Sequence, residues 1–226
     1  MRVGVLGTGT VGRTLAGRLV ALGHEVTMGS RQAGNVNSVA WAQQAGPSAH
    51  EGSFADAAAF GSIVINATAG AASLEALAAA GADALAGKVL LDVANPLDHA
   101  PGATGVLTVC NTDSLGEQIQ RAFPDTRVVK ALNTMSAEVM VEPRLVPGSH
   151  NVFLCGEDAT AKSAVAELLE AFGWPAPDIV DLGGISAARG TEMYLALWLR
   201  LWGVAGTGRL NVRLMTRAIA DDARGS

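Results

Sequence analysis

Three glycines near the start of the chain have the spacing of a phosphate-binding turn. Gly7, Gly9 and Gly12 match the pattern G-x-G-x-x-G. The first glycine of such a turn permits a tight bend, the second lets a pyrophosphate approach the backbone, and the third lets a helix pack closely on a strand. Unpaired N–H groups at the start of that helix attract the pyrophosphate. The residues predicted to contact a dinucleotide here are Gly7, Thr8, Gly9, Thr10, Val11 and Gly12.

The segments around these glycines have the order that a dinucleotide-binding turn requires. An apolar run at residues 3–6 predicts a buried strand, and apolar residues at every third or fourth position from 11 to 22 predict the helix that follows. Gly23 ends that helix, and residues 25–28 begin a second apolar strand. This order predicts a dinucleotide site. The alternative is a plain turn in an unrelated α/β protein.

The end of the second strand indicates which dinucleotide binds. An NAD site usually has an acid here, about 20 residues after the glycines, to bind the ribose 2′-hydroxyl. This chain has Gly29, Ser30 and Arg31 instead. Arg31 can pair with a 2′-phosphate through two hydrogen bonds, and the hydroxyls of Ser30 and Thr8 can donate to it. The sequence therefore predicts NADP(H), with an exposed loop arginine as the alternative.

Asparagine stands at the end of three further apolar runs. These runs are SIVIN, KVLLDVAN and RVVKALN, which end at Asn66, Asn95 and Asn133. Ligands of an open parallel sheet bind outside the carboxyl ends of its strands. The alternative is that asparagine is simply common in turns. The residues expected to border the nicotinamide are Asn66, Ala67, Thr68, Asn95 and Asn133.

The sequence contains no convincing acid–base or metal-binding constellation. His24, His50 and His150 fall in turns and loops, and His99 is the only histidine near the predicted crevice. No Ser or Tyr stands four residues before a Lys, as a carbonyl reductase would need for its proton donor. Hydride transfer between two cofactors needs no such donor, because the chemistry belongs to the cofactors. We therefore predict neither a catalytic side chain nor a metal site.

The remaining patterns predict strands that alternate with helices. Such alternation is typical of a mostly parallel sheet with right-handed crossovers. We expect an α/β fold: a Rossmann-type, doubly wound, mostly parallel sheet with a C-terminal helical extension. Residues 1–182 are expected to form the NADP-binding part and residues 183–226 the extension. The predicted strands are residues 62–66, 88–95, 127–133, 151–155 and 179–182, and the predicted helices are residues 36–45, 54–60, 71–80, 115–122, 159–172 and 185 to about 214.

Composition limits the partners and the compartment. The chain has 226 residues, 49% of them hydrophobic and 16% charged, which permits a large core. Its net charge of -5 argues against nucleic acid as a partner. Cys110 and Cys155 fit no ligand or redox spacing and are expected to be buried free thiols of a cytoplasmic protein. The first strand is expected to leave no room for a signal peptide. A membrane span would need about 20 apolar residues, whereas the most apolar segment, residues 193–205, has thirteen and contains Arg200, so we expect no membrane partner.

The predicted C-terminal helix has an unusual distribution of apolar residues. Residues 193–204 are apolar on every side of a helix apart from Arg200, so the whole circumference should be buried. Trp198 and Trp202 share one face, and aromatic residues are enriched in interface cores. We expect a homodimer formed through these helices across a two-fold axis. The alternative is a helix that passes through the core of one monomer.

Several stretches of the chain resemble a known family. GTGTVG, VTMGSR, the strand end NAT, VVKALNT and the tail DLGGISAARGTEMYLALWLRLWGVAGTGRLNVRLM are similar to the NADP oxidoreductases that use the deazaflavin coenzyme F420. The similarity extends over nearly the whole chain. It implies hydride exchange between NADP(H) and the deazaflavin without a metal, in a homodimer. It also implies that Thr8, Ser30 and Arg31 hold the 2′-phosphate, and that the turns after Asn66 and Asn133 border the stacked rings.

Other functions fit the same patterns. An NADPH-dependent reductase of a small imine, ketone or flavin could share the fold, and so could a module that only senses NADP(H). The small residues Ala67, Ala69 and Gly70 favour an open site over the nicotinamide, which an enzyme needs and a sensor does not. Arg209, Arg213 and Arg217 would form one basic stripe if helical, suited to an acidic deazaflavin tail or to solvent.

Overall fold

One sheet of eight strands organises the chain. The computed structural model describes residues 1–98, 100 and 103–216. Its strands lie in the order β3-β2-β1-β4-β5-β6-β7-β8, and all neighbours are parallel except β6 and β7. The strands are β1 (Arg2–Leu6), β2 (Glu25–Ser30), β3 (Ala49–Ser53), β4 (Ile63–Asn66), β5 (Val89–Asp92), β6 (Arg127–Ala131), β7 (Val152–Cys155) and β8 (Ile179–Asp181).

Helices cover both faces of this sheet. One hydrophobic cluster joins the sheet to α1, α2, α7 and α8, and a second joins its other face to α3, α4, α5, α6 and α9. The helices are α1 (Thr10–Ala21), α2 (Val36–Ala45), α3 (Phe54–Phe60), α4 (Gly70–Ala80), α5 (Ala82–Leu85), α6 (Leu115–Ala122), α7 (Ala137–Val141), α8 (Ala159–Phe172) and α9 (Ala188–Ala205), with three short 3-10 helices at Pro143–Leu145, Ala176–Asp178 and Ile185–Ala187. The predicted Rossmann-type α/β fold with a C-terminal helix is confirmed.

The strand order places a crevice beside β1. The chain builds β1, β2 and β3 in one direction and then returns to place β4 on the other side of β1. Such a switch point is where open α/β sheets bind their ligands. Register aligns the carboxyl ends there, because Leu6 pairs with Gly29 on one side and with Asn66 on the other. Asn66 in turn pairs with Asp92 of β5.

Some predicted elements differ from those observed. Residues 49–53 form the edge strand β3, so His50 lies in a strand and not in a loop. Their sequence, AHEGS, has no apolar run because an edge strand is exposed to solvent. The strands predicted to reach Asn95 and Asn133 end earlier, at Asp92 and Ala131. The two asparagines therefore lie in the turns that follow.

The predicted helix at residues 185–214 is too long. α9 ends at Ala205, and Gly206 adopts a left-handed conformation with φ of 68°, the usual way in which glycine ends a helix. The chain then runs without helix to residue 216. The backbone N–H of Asn151 donates to the carbonyl of Val212 at 2.9 Å. Arg209 and Arg213 therefore belong to no helical stripe, and Arg217 lies outside the described residues.

α9 buries one face and exposes the other. Glu192, Leu195 and Trp198 are buried, and Glu192 contacts Lys130 of β6. Leu197 and Trp202 remain 55% and 46% exposed. The helix therefore does not pass through the core of the monomer. Within the described residues, no helix combines the length and hydropathy needed to cross a membrane.

The two cysteines differ in environment. Cys155 is buried, but Cys110 is exposed, which corrects the expectation that both are buried. Burial raises the pKa of the Cys155 thiol to about 12, despite the opposing effect of the Lys130 ammonium. Because the thiolate is the reactive form, we expect one thiol per native chain to react with Ellman's reagent at about pH 8. Both should react in denaturant, and a native chain with two reactive thiols would contradict this assignment.

Candidate functional site

The glycine turn after β1 has the geometry that close approach requires. Gly7 has φ of 118°, and a Cβ there would lie 2.5 Å from the carbonyl oxygen of Ala67. A Cβ on Gly12 would lie 2.1 Å from the carbonyl oxygen of Gly7. Gly9 differs, because its missing Cβ would point into space free of described atoms within 4 Å. The first and third glycines thus allow the fold, and the second leaves room for a ligand.

The start of α1 offers free backbone donors beside this turn. Gly9 is the N-cap residue, no described side chain caps the helix, and its first turn contains no acid. Thr10 is exposed and Val11 is half-buried against the core, so both contribute mainly backbone. Uncapped N–H groups at a helix start bind anions. The absence of a Cβ at Gly9 lets a pyrophosphate reach them, so the turn fits a dinucleotide.

A cleft of about 730 Å³ opens above the turn. The end of β2 and the loop after it form one wall, and α4 forms the opposite wall. Its ionisable lining side chains, among the described residues, are Arg31 and Glu75. The predicted site residues that the cleft brings together are Gly7, Thr8, Gly9, Ser30, Arg31, Ala67 and Thr68.

The carboxylate of Glu51, in the neighbouring strand β3, holds the loop after β2. The backbone N–H of Gly34 donates to Oε2 of Glu51 at 2.8 Å. Asn35 caps α2 by accepting from the N–H of Asn37. The Ser30 hydroxyl donates to the carbonyl of Gln32 at 2.5 Å, so its hydrogen already has a partner. Glu51 lies on β3, and sequence reasoning missed its role because it missed that strand.

Asn66 is part of the protein framework below the cleft. Its side chain is fully buried, and its Nδ2 donates to Asp92 Oδ1 at 2.8 Å and to Ser73 Oγ at 3.1 Å. Its Oδ1 accepts from the hydroxyl of Thr68 at 2.7 Å and from the Thr68 backbone N–H at 3.3 Å. Asn66 is also not among the residues that line the cleft. Asn66 therefore fixes the turn that carries Thr68 and does not itself reach the cleft.

Asn95 and Asn133 meet each other at the next two strand ends. Asn95 Nδ2 donates to the Asn133 carbonyl at 2.7 Å, and Asn133 Nδ2 donates to Asn95 Oδ1 at 3.0 Å. The first turn of α4 packs on this pair, since a Cβ on Gly70 would lie 2.1 Å from the Asn95 carbonyl oxygen. Gly70 is therefore required for the packing of α4. The expectation that its small size leaves open space over the nicotinamide is wrong.

The turn after β6 contains strained backbone and hydroxyls without partners. Leu132 is buried with φ of 65°, a left-handed conformation that costs roughly 1–3 kcal/mol in a residue with a side chain. Within the described part of the chain, the buried hydroxyls of Thr134 and Ser136 have no hydrogen-bond partner. Strain and unpaired polar groups of this kind concentrate at functional sites.

The described histidines lie away from the cleft. His24 contacts the N-terminal amine, and its pKa is lowered by burial and by that positive charge. His50 packs on Phe60, and His150 is buried between Pro143 and Asn211. His99 lies outside the described residues. Over the described ranges, no group of His, Cys, Asp and Glu is placed to hold a metal ion.

Comparison with known proteins agrees with this geometry. Residues 2–96 match the family model described as NADP oxidoreductase, coenzyme F420-dependent. The F420-dependent NADP reductase of Methanothermobacter marburgensis is 30% identical over 210 residues, which cover 89% of this chain and 92% of that protein. A crystal structure from Arthrobacter sp. FB24, provisionally named F420-dependent NADP reductase, has a TM-score of 0.89 and 51% identity, covering 95% of this chain and 99% of that one.

A longer relative shares the same region. Metalloreductase STEAP3 of Rattus norvegicus is 32% identical over 204 residues, or 90% of this chain. The chain spans only 38% of the length of that protein. The methanogen and Arthrobacter proteins, by contrast, are matched over almost their full length. This chain is therefore an NADP-dependent oxidoreductase that belongs to the family of coenzyme F420-dependent NADP oxidoreductases.

Proposed function

We propose that the protein transfers a hydride between NADP(H) and the deazaflavin coenzyme F420. The observation that carries the proposal is the lining of the cleft. Its described ionisable side chains are Arg31, in the loop after β2, and Glu75, in α4, and neither belongs to the turn at residues 66–68 that we place under the nicotinamide. Reduction of a carbonyl would require a proton donor beside the nicotinamide. A second redox cofactor requires none, since a deazaflavin supplies its own chemistry. Two relatives that are matched over almost their full length carry names that support F420 as the second cofactor.

Each predicted residue has a part in this proposal. The turn and the first N–H groups of α1 hold the pyrophosphate, and the loop after β2 holds the 2′-phosphate. Ala67 and Thr68 lie under the nicotinamide, while the three asparagines fix the strand ends around it. NADPH supplies the hydride when bound, and the protein orients both rings and excludes water. The residues proposed to bind or frame the cofactor are Gly7, Thr8, Gly9, Thr10, Val11, Gly12, Ser30, Arg31, Asn66, Ala67, Thr68, Asn95 and Asn133.

A direct assay tests the proposed reaction. Purified protein is mixed with NADPH and oxidised F420, and the absorbances of both cofactors are followed together. We expect equal amounts of NADPH oxidised and deazaflavin reduced, and the reverse reaction when reduced F420 and NADP are supplied. Parallel reactions contain a free flavin or a ferric chelate as the acceptor. Turnover of either of these without turnover of F420 would refute the deazaflavin as co-substrate.

Arg31 is proposed to distinguish NADP(H) from NAD(H). Replacing it in Arg31→Ala removes a charge-assisted pair with the 2′-phosphate, which contributes roughly 1.5–3 kcal/mol. The dissociation constant for NADPH, measured by fluorescence titration, should rise about 10- to 100-fold. The constant for NADH should change little, because NADH has no 2′-phosphate.

A matched variant controls for the loss of positive charge. Arg127 begins β6 at the opposite, amino edge of the sheet and lies 3.6 Å from Asp158. Arg127→Ala should leave the binding of both cofactors unchanged. If Arg31→Ala weakened NADPH and NADH equally, the arginine would not contact the 2′-phosphate.

The exposed side of α9 is proposed to form a homodimer. Met193, Leu197 and Leu201 recur every four residues, are 37%, 55% and 38% exposed, and lie on one side of the helix that the described chain covers only in part. Trp202 is 46% exposed beside the buried Trp198, and their ring centroids are 5.3 Å apart. A second copy can cover such a surface with its own across a two-fold axis.

Sedimentation velocity tests the dimer. We expect the wild type to sediment as a dimer at micromolar concentration and Leu197→Asp to sediment as a monomer, because a carboxylate in an apolar interface is costly to bury. Leu74→Asp provides the control, since Leu74 is similarly exposed, at 37%, on the distant helix α4. A wild-type monomer would contradict the proposed interface, and so would a Leu197→Asp dimer.

A further inference from the structure

A buried ionic cluster joins α9 to the sheet. It consists of Asp92 at the end of β5, Lys130 in β6 and Glu192 in α9, each at most 1% exposed. Lys130 Nζ lies 2.8 Å from Asp92 Oδ2 and 2.8 Å from Glu192 Oε1. It also donates to the carbonyl of Ala94. The three N–H groups of the ammonium therefore all have acceptors.

Glu192 extends this cluster to α6. Its Oε2 accepts from the backbone N–H of Leu115 at 2.9 Å, and its Oε1 accepts from the N–H of Gly116 at 3.0 Å. These N–H groups belong to the first turn of α6, where the helix dipole favours negative charge. A Cβ on Gly116 would lie 3.0 Å from the Cβ of Ala188, so glycine lets α9 approach this closely. One carboxylate thus fixes α9 to both a strand and a helix.

Asp92 extends the cluster in the other direction, to the cleft. Its Oδ1 accepts from Asn66 Nδ2 at 2.8 Å and from the Ala94 N–H at 3.1 Å. Asn66 in turn holds both the hydroxyl and the N–H of Thr68, which lines the cleft. An unbroken series of hydrogen bonds therefore connects the C-terminal helix to the turn at the cleft.

The charges make this arrangement hard to deform. Burial alone would lower the pKa of Lys130, but the carboxylates of Asp92 and Glu192 outweigh that effect and raise it. The ammonium therefore stays charged. A buried charge that loses a partner is left uncompensated, which costs free energy. A small shift of α9 therefore does not break one of these contacts and leave the rest of the cluster in place. The shift must move the neighbouring groups, including the turn that carries Thr68.

We propose that Lys130, together with Asp92 and Glu192, is a positioning element that holds the turn at residues 66–68 against the nicotinamide during hydride transfer. This inference rests on the proposed function. The 2′-phosphate end of the cofactor is assigned to Arg31 and the loop after β2, and Arg31 does not belong to the cluster. Weakening the cluster should therefore slow the reaction much more than it weakens NADPH binding.

Glu192→Gln tests this inference in the whole 226-residue chain. The amide keeps the shape of the side chain, but it must turn an N–H group toward either the ammonium or the N–H groups of α6. Misplacement of a reacting group by about 1 Å costs on the order of 100-fold in rate. We expect kcat with NADPH and oxidised F420 to fall about 10- to 100-fold. The NADPH dissociation constant should stay within a few-fold of the wild-type value.

A second measurement needs no hydride acceptor. The fluorescence lifetime of bound NADPH reports how firmly the reduced nicotinamide is held, and in Glu192→Gln it should shift toward the lifetime of free NADPH. Lys162→Met is the control, because it removes an ion pair, between Lys162 and Asp181, that lies at the far edge of the sheet. It should change neither kcat nor the lifetime. Asp92→Asn replaces Glu192→Gln if the latter does not fold, with the same expectations.

The two measurements separate the inference from the proposed function. A wild type that does not reduce F420 would refute the proposed reaction, while a shifted lifetime at unchanged NADPH affinity would still support the positioning role. A folded variant with wild-type kcat and wild-type lifetime would overturn that role. So would an equal loss of affinity and rate, because the cluster would then serve binding in general.

Discussion

Lys130→Met should destabilise the protein by about 3–5 kcal/mol, the cost typical of breaking a buried ion pair from one side. The substitution keeps an apolar stem of similar length and removes the ammonium that lies 2.8 Å from two buried carboxylates. Asp92 and Glu192 would then remain in the interior without a counter-charge. Urea denaturation followed by circular dichroism measures the loss in the free energy of unfolding.

Lys162 again provides the comparison, because its ion pair is open to solvent on one side although its own side chain is only 15% exposed. It pairs with Asp181, whose side chain is 51% exposed. Exposed pairs contribute roughly 0–1 kcal/mol, so Lys162→Met should stay within that range. The triple variant Asp92→Asn, Lys130→Met, Glu192→Gln should recover part of the loss, because no charge is left unpaired. If Lys130→Met lost as little stability as Lys162→Met, removal of the ammonium would leave no uncompensated charge in the interior, and the expected cost of an unpaired charge would be wrong.

The sequence was most informative where one interaction determines the structure. Ser53 and Asp56 form a reciprocal capping box at the start of α3, and this helix was predicted with its observed bounds. Gly173 ends α8 in a left-handed conformation, and that helix too was predicted correctly. Both depend on contacts between residues close in the chain, which a sequence pattern records directly.

The elements that were predicted wrongly are those whose structure depends on contacts between residues far apart in the chain. β3 is held in the sheet by backbone pairing with β2. This pairing does not require an apolar sequence, so AHEGS shows no strand pattern. The chain after Gly206 has helix-like spacing of arginines, but it is held beside the start of β7, because Asn151 donates to the carbonyl of Val212 and accepts from the N–H of Leu214. Neither pairing is visible in a local pattern.

The candidate site was predicted in outline but not in its supporting contacts. The glycine turn and Arg31 each have a local sequence signature, and both line the cleft. Asn66 was placed correctly at a strand end, yet its side chain supports the turn from within. The available signal was charge in apolar surroundings: Lys130 interrupts RVVKA and Asp92 ends VLLD. Charged residues in such strands are almost never buried unless they are paired, so each predicted a partner that only the fold could identify.

Gly9→Val should abolish most NADPH binding and leave the fold intact. Gly9 has φ of -73° and ψ of -176°, extended backbone that any residue adopts. A side chain there would meet no described atom within 4 Å of its Cβ, so it would project into the space assigned to the pyrophosphate. We expect the NADPH dissociation constant to rise at least about 100-fold, corresponding to roughly 2.7 kcal/mol. Because Gly9 is the N-cap residue of α1 and valine is a poorer N-cap residue than glycine, the variant should lose about 1 kcal/mol of stability and should still unfold cooperatively.

Two other glycines of the same helix make this expectation specific. Gly12→Ala should disrupt the fold, because its Cβ would clash with the Gly7 carbonyl oxygen and force the helix away from the strand. That variant should lose stability as well as NADPH binding. Gly17→Ala, whose Cβ would have an ordinary contact at 3.9 Å from Trp41 Nε1, should retain both. Calorimetric titration with NADPH, beside thermal denaturation of all three variants, gives the comparison. If Gly9→Val bound NADPH as tightly as Gly17→Ala does, the pyrophosphate would not lie over this turn.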